Sequence, residues 1–144
     1  MSLASAALAT TLTAGQTAPA PVQNIQMKAA DGKVLGTASV TPTPKGVLIR
    51  ATFEGVSAGP HGFHIHETGK CEPPEFTTAG GHFNPTKAAH GFLDPKGAHA
   101  GDMPNVFVAQ GQKLEVEVLA PGVTLDSGAT GLRDADGSSL VLHA

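Results

Sequence analysis

The chain has 144 residues, with 9 Lys and Arg against 12 Asp and Glu, for a formal net charge of −3. This length suits one domain with a single core. The few basic residues and the absence of Trp and Tyr argue against a nucleic-acid partner, which would need a cationic surface and aromatic stacking. No stretch approaches the roughly 18 apolar residues that span a bilayer, so the sequence predicts no membrane-spanning segment.

The first 23 residues carry no charged side chain and are rich in Ala and Thr. They are typical of a signal-peptide remnant or a flexible linker, although the basic start and the long apolar run of a complete signal peptide are missing. We therefore expect a folded domain at residues 24–144 of an exported protein that is periplasmic, secreted or attached to the cell envelope. The only cysteine, Cys71, is either a buried thiol or a residue whose disulfide partner is missing.

Apolar and polar residues alternate in short runs from residue 24 onward, and many of the 18 Gly and 11 Pro separate these runs. The pattern is typical of β-strands joined by turns, with hairpin turns predicted at Asp31-Gly32 and at residues 42–46. The predicted strands are residues 25–28, 33–40, 47–53, 61–66, 105–108, 113–119 and 140–143. These short antiparallel strands favour an all-β sandwich or flattened barrel with almost no helix.

Residues 67–103 interrupt this alternation of apolar and polar residues, because they show neither helical nor strand periodicity. Loops longer than about 12–15 residues are uncommon in compact domains unless they are functional or disordered. Bound metal ions could supply the order that hydrogen-bonded elements do not. We therefore predict a long metal-binding loop here.

Six of the seven histidines lie between His61 and His99, and the seventh is His143. His64 and His66 are two residues apart, so their side chains leave a strand on the same face and can reach one metal ion. The alternative is that they are exposed polar residues on a solvated face. Neutral imidazole is the commonest protein ligand for zinc and copper, which favours the metal site.

A second candidate site lies in the long loop, where three histidines are followed by an acidic residue: His82, His90, His99 and Asp102. Three imidazoles and one carboxylate make a tetrahedral set that suits a structural zinc ion. The alternative is that these are unrelated polar loop residues.

Several motifs occur in a specific order: GPHGFHIHE at 59–67, Cys71, AGGHFNP at 79–85, His90, GAHAGDMPN at 97–105 and DADGSSLVLH ending at His143. In this order they resemble the copper/zinc superoxide dismutase family, in its bacterial exported type, over residues 24–144. The resemblance implies a Greek-key sandwich whose eighth strand is missing from this chain. It also implies dismutation of superoxide anion to dioxygen and hydrogen peroxide.

Carried over residue by residue, the resemblance implies that the catalytic copper is bound by His64, His66, His82 and His143. It implies that zinc is bound by His82, His90, His99 and Asp102, so that His82 bridges the two metals. His61 would then support the copper-binding strand through hydrogen bonds to the backbone.

The chain departs from the family after His143. Family members continue through a charged loop and a final strand, which supply an Asp that links the metal ligands, an Arg that guides the anion, and a Cys that pairs with the one matching Cys71. Arg50 and Arg133 lie in other motifs and are not assigned the guiding role. We therefore expect a truncated form of an ordinary enzyme, and the alternative is a natural protein that lacks this end. If the 144-residue chain is the form in solution, we expect weaker metal retention and much reduced turnover.

Two other functions stay open from the sequence. One is a non-enzymatic copper- or zinc-binding module that buffers or transfers metal, which the missing guiding Arg favours. The other is a purely structural sandwich, which leaves the ligand set unexplained. The sequence leaves open whether the protein is a monomer or a homodimer.

Overall fold

The structure, a computed structural model, describes residues 23–144. The predicted signal remnant or linker at residues 1–23 lies outside the described residues except for Gln23, which belongs to the first strand. The strands are β1 Gln23–Lys28, β2 Val34–Thr43, β3 Gly46–Phe53, β4 Gly59–His61, β5 Phe63–His66, β6 Val106–Val108, β7 Leu114–Ala120 and β8 Ser139–Leu142. The only helix among the described residues is a 3₁₀ turn at Thr77–Ala79, so the all-β prediction is confirmed.

Each predicted strand is present, but the strand predicted at residues 61–66 is two strands separated by Gly62. The reason is that its two halves pair with different partners: β4 with β6, and β5 with β8. The other four strands form an antiparallel sheet in the order β1-β2-β3-β7. The second predicted turn is also tighter than expected, because β2 and β3 remain paired up to Thr43 and Gly46.

The core lies between the four-stranded sheet and the two smaller pairs. Alternate residues of β3 are buried, and on the facing side Phe63 and Ile65 of β5 are 0% and 1% exposed. The rings of Phe53 and Phe63 meet edge to face with their centroids 6.0 Å apart. Because side chains alternate along a strand, burying Phe63 and Ile65 turns His64 and His66 to the other face of β5.

The long loop at residues 67–103 is more regular than its sequence predicts. Its backbone runs along β5 and is joined to it by hydrogen bonds. Ile65 N donates to Gly101 O at 2.9 Å, and Phe83 N donates to Ile65 O at 2.8 Å. Isolated bridges pair His64 with Asp102 and His66 with His82. Hydrogen bonds to a strand edge therefore supply part of the order that we had expected from metal ions alone. Within residues 23–144, no helix has the length and apolar character needed to cross a membrane.

Candidate metal centre

The first of two histidine-rich groups is built on β5 and β8. His64 and His66 project from β5, and His143 follows directly after β8, where its N–H donates to Gly62 O at 2.9 Å. The loop adds His82, whose backbone bridges to His66. Pairing of β5 with β8 thus brings together residues that are far apart in the sequence.

The nitrogen atoms of this first group converge on one point. His64, His66, His82 and His143 each offer a ring nitrogen within 4.8 Å of the others. His66 Nε2 lies 3.3 Å from His143 Nε2, and His66 Nδ1 lies 3.0 Å from Gly80 O. Since a carbonyl oxygen only accepts, the His66 proton belongs on Nδ1, which leaves the Nε2 lone pair directed into the group.

The second group shares His82 with the first and adds His90, His99 and Asp102, again with ligand atoms within 4.8 Å of one another. Asp102 Oδ1 lies 2.8 Å from His82 Nδ1, 3.2 Å from His90 Nδ1 and 3.3 Å from His99 Nδ1. The side chain of His90 is 60% exposed, whereas that of Asp102 is 2% exposed. In the second group the Asp102 carboxylate is therefore buried, whereas the side of the group at His90 is open to solvent.

Asp102 also holds the loop together through its other oxygen. Oδ2 accepts hydrogen bonds from Gly91 N at 2.8 Å and from His99 N at 3.0 Å. Burial raises the pKa of Asp102, but the hydrogen bonds from Gly91, His82 and His99 outweigh burial and hold this pKa at about 2. The carboxylate is therefore ionised at neutral pH, as a metal ligand must be.

The pKa values of three histidines of the first group, His64, His66 and His143, are lowered, which favours their neutral form. Burial, together with the nearby His82 and His143, lowers the pKa of His64 to about 4. Burial also lowers the pKa of His66 and of His143. Neutral imidazole is the form that binds metal ions, so these side chains are ready to do so without first losing a proton.

Two ring nitrogens test whether these residues fit metal ions. His64 Nδ1 and His99 Nδ1 are buried and have no hydrogen-bond partner among residues 23–144. The contact of His99 Nδ1 with Asp102 lacks hydrogen-bond geometry. A buried polar atom without a partner costs about 1–3 kcal/mol, and a metal ion would satisfy each one. One such atom lies in each group, so both groups fit a bound metal.

His61 belongs to neither group. Its ring is buried, with Nδ1 2.7 Å from His143 O and Nε2 2.8 Å from Ser57 O. These contacts connect the end of β4 to the backbone of His143. The resemblance implies a supporting role for His61, and these are the contacts through which His61 would act.

The predicted metal ligands all lie in the two groups, and His61 lies beside them. The two arginines, which were not assigned a role, and Cys71 lie elsewhere. Arg50 pairs with Glu117, and Arg133 bonds to Gln23. Cys71 is half-buried and has no disulfide partner in the described part of the chain. Sequence reasoning missed Glu67, whose Oε1 accepts from Gly81 N at 3.0 Å beside His82. Its place directly after His66 was the available signal.

The fold and the two groups define a β-sandwich metalloprotein with adjacent histidine-rich sites that share one imidazole. Residues 34–144 match the copper/zinc superoxide dismutase (SODC) family. The chain therefore belongs to this family, and the resemblance noted from the motifs is confirmed.

Similar proteins agree with this family. A Cu-Zn superoxide dismutase of Aquifex aeolicus is 44% identical over 116 residues, which cover 79% of this chain and 68% of that protein. One from Caulobacter vibrioides is 41% identical over 121 residues, which cover 82% of this chain and 70% of that protein. The crystal structure of a double mutant of a SOD-like protein from Bacillus subtilis is 38% identical, with a TM-score of 0.80 over 83% of this chain and 80% of that one.

Proposed function

We propose that this protein catalyses the dismutation of superoxide to dioxygen and hydrogen peroxide, with a redox-active copper ion and a structural zinc ion. The observation that carries the proposal is the pair of adjacent ligand groups that meet at His82. Two metal sites joined by one imidazole suit a reaction that couples electron and proton transfer. Family membership supports both the reaction and the two metals.

Copper is assigned to the first group, His64, His66, His82 and His143, because four imidazoles suit copper. Zinc is assigned to the second group, His82, His90, His99 and Asp102, because three imidazoles and a carboxylate make a closed tetrahedral set. When bound, copper supplies the one-electron oxidation and reduction that dismutation requires, and zinc has no such redox chemistry.

His82 is assigned the proton-transfer role. Its Nδ1 faces Asp102 Oδ1 at 2.8 Å, so Nε2 is the atom left to face the first group. In this proposal Nε2 takes up a proton in one half of the cycle and gives it up in the other. His82 and Asp102 would both hold the zinc, so the ring orientation that this contact shows would be kept while the protonation of Nε2 changes.

Three other groups orient the ligands. Gly80 O fixes the ring of His66, Asp102 Oδ2 fixes the loop that carries His90 and His99, and His61 holds the backbone of His143. Hydrogen bonds of this kind to metal ligands typically change metal affinity or activity by about 10–100-fold when they are removed.

The second candidate function is a non-enzymatic module that buffers or transfers copper or zinc. The positions of the two arginines favour this function. Arg50 pairs with Glu117 and Arg133 bonds to Gln23, so these side chains contact neither ligand group. A cation beside the metal speeds the approach of superoxide, so arginines that lie elsewhere favour metal binding over fast turnover.

Metal analysis combined with a superoxide assay, before and after copper loading, separates the two functions. We expect turnover that appears with stoichiometric copper and disappears when copper is chelated. Stoichiometric copper without turnover would support the metal-binding module instead.

Export, assembly and the pairing of Cys71 are further proposals. The uncharged, Ala- and Thr-rich N-terminal region supports a periplasmic, secreted or envelope location. Fractionation of the native host tests this location, and sedimentation of the purified protein tests for a homodimer. Pairing of Cys71 with a cysteine beyond His143 rests on the resemblance, and mass spectrometry of the natural protein under non-reducing conditions tests it.

A further inference from the structure

Gly62 lies at the junction between β4 and β5 and touches two members of the first ligand group. It follows His61 and precedes His64 by two residues, and its carbonyl oxygen accepts a hydrogen bond from His143 N at 2.9 Å. Its backbone therefore connects the ends of β4, β5 and β8 directly beside the group.

The space next to Gly62 is filled by imidazole rings of that group. A methyl group on Gly62 would lie 2.9 Å from His64 Cε1, 3.5 Å from His64 Nδ1 and 3.4 Å from His143 Cδ2. Carbon atoms essentially never approach to 2.9 Å, so the His64 ring would have to move. At Gly101, by contrast, a methyl group would meet the backbone oxygen of Ile65 at 2.3 Å. A methyl group at Gly62 would therefore clash with ligand side chains and not with backbone atoms.

His64 has little room to move away. Its backbone is paired with Val141 of β8 on one side and bridged to Asp102 on the other. Its side chain is largely buried, and its ring centroid lies only 4.1 Å from that of His82. A methyl group added at Gly62 would therefore displace the His64 ring, and with it the Nδ1 atom that has no hydrogen-bond partner among the described residues.

Backbone conformation does not explain why this position is glycine. The φ angle of Gly62 lies outside the left-handed region, unlike that of Gly59 at +130°, so an L-residue can adopt it without strain. The requirement for glycine here is space beside the His64 and His143 rings.

We propose that Gly62 is a positioning residue for the copper group: the lack of a side chain allows the rings of His64 and His143 to take their places in that group. The proposal rests on the proposed function, because it takes the first group to be the copper site. The three nearest contacts of the added methyl group include no residue of the second group. Enlarging Gly62 should therefore disturb copper and leave zinc unaffected.

The test compares Gly62→Ala with Gly81→Ala. Gly81 precedes His82, and its added methyl group would meet only Glu67, at an ordinary 3.6 Å. Cu(II) binding is measured by competition and by electron paramagnetic resonance, and Co(II) in the second group by its visible spectrum. For Gly62→Ala we expect copper affinity to fall roughly 10–100-fold with altered copper hyperfine splitting, while the Co(II) spectrum stays unchanged. Gly81→Ala should match the wild type in both measurements.

An unchanged copper affinity and spectrum in folded Gly62→Ala would overturn the proposal, as would an equal loss of both metals. A second measurement needs no variant: in the metal-free wild-type protein, a nuclear Overhauser effect should connect Gly62 Hα with His64 Hε1, and its absence would overturn the proposal. A separate experiment tests the copper assignment itself. If His143→Ala left the wild-type copper spectrum unchanged, the copper assignment would be overturned, and this proposal with it.

Discussion

The side chains of Asp102 and His82 meet at 2.8 Å between Oδ1 and Nδ1, and His82 is the residue that the two ligand groups share. The other oxygen of Asp102 binds the backbone of the long loop, at Gly91 and His99. One carboxylate therefore orients the imidazole shared by both groups and anchors the loop that carries the second group.

Asp102→Ala should therefore weaken zinc binding and loosen the loop together. The metal-free variant loses the acceptor for two backbone N–H groups, so we expect its free energy of unfolding to fall by about 3 kcal/mol. Limited proteolysis should cut within residues 67–103 faster than in the wild type. Asp126→Ala is the matched control, because Asp126 also accepts a backbone bond, from Gly128 N, but lies away from both groups. Equal protease resistance in the Asp102 variant and the wild type would contradict this role.

His82→Ala should affect both metals, because His82 is the one residue common to the two groups. We expect superoxide turnover to fall at least ~100-fold, the usual range for loss of a general acid–base group. The copper spectrum should change, and zinc affinity should fall in parallel. His90→Ala serves as the comparison, since it should weaken zinc with a smaller effect on the copper spectrum. An unchanged copper spectrum in His82→Ala would rule out the bridging assignment.

The metal-free protein should lose stability as the pH falls from about 6.5 to about 4. The pKa of His64 is lowered from 6.5 to about 4 in the folded state, so in this range the unfolded chain binds a proton that the folded chain does not. The stabilisation is complete above pH 6.5 and is lost as the pH approaches 4. A shift of this size corresponds to at most about 3 kcal/mol, because solvent near the ring screens part of the effect, and chemical denaturation at several pH values measures it. His64→Asn should make the profile shallower, with His66 and His143 still contributing, and an equally steep profile in that variant would contradict this origin.

Phe63→Ala should cost about 3–5 kcal/mol of folding free energy, because the ring is fully buried and packs edge to face on Phe53. The same truncation at Leu93, which is 100% exposed, should change stability by less than about 0.5 kcal/mol. Urea denaturation of the metal-free variants provides both values. Similar losses at the two positions would show that β5 does not face the core as described.

Strand periodicity predicted the common face of His64 and His66, because the two-residue repeat of a strand fixes the direction of side chains. It did not predict the break at Gly62, since that break depends on which partners β4 and β5 find in the folded chain. The position of His82 in both groups follows from the path of the long loop along β5, which spacing alone does not encode. Only the family resemblance assigned that residue in advance.

The all-β class was predictable for a related reason. Hairpin turns and alternating residues are local signals, and Asp31-Gly32 lies in the turn between β1 and β2 as expected. The space required beside His64 at Gly62 is not a local signal, because it depends on the rings of His64 and His143. Residues that serve the site through packing were therefore the ones that sequence reasoning missed.

The central claim is that one imidazole joins a copper site to a zinc site. The most direct test is anomalous diffraction at the copper and zinc absorption edges from crystals of the doubly loaded protein. The account predicts copper among His64, His66 and His143, zinc among His90, His99 and Asp102, and His82 between the two ions. Both metals in one group, or a copper peak that His82 does not reach, would contradict it.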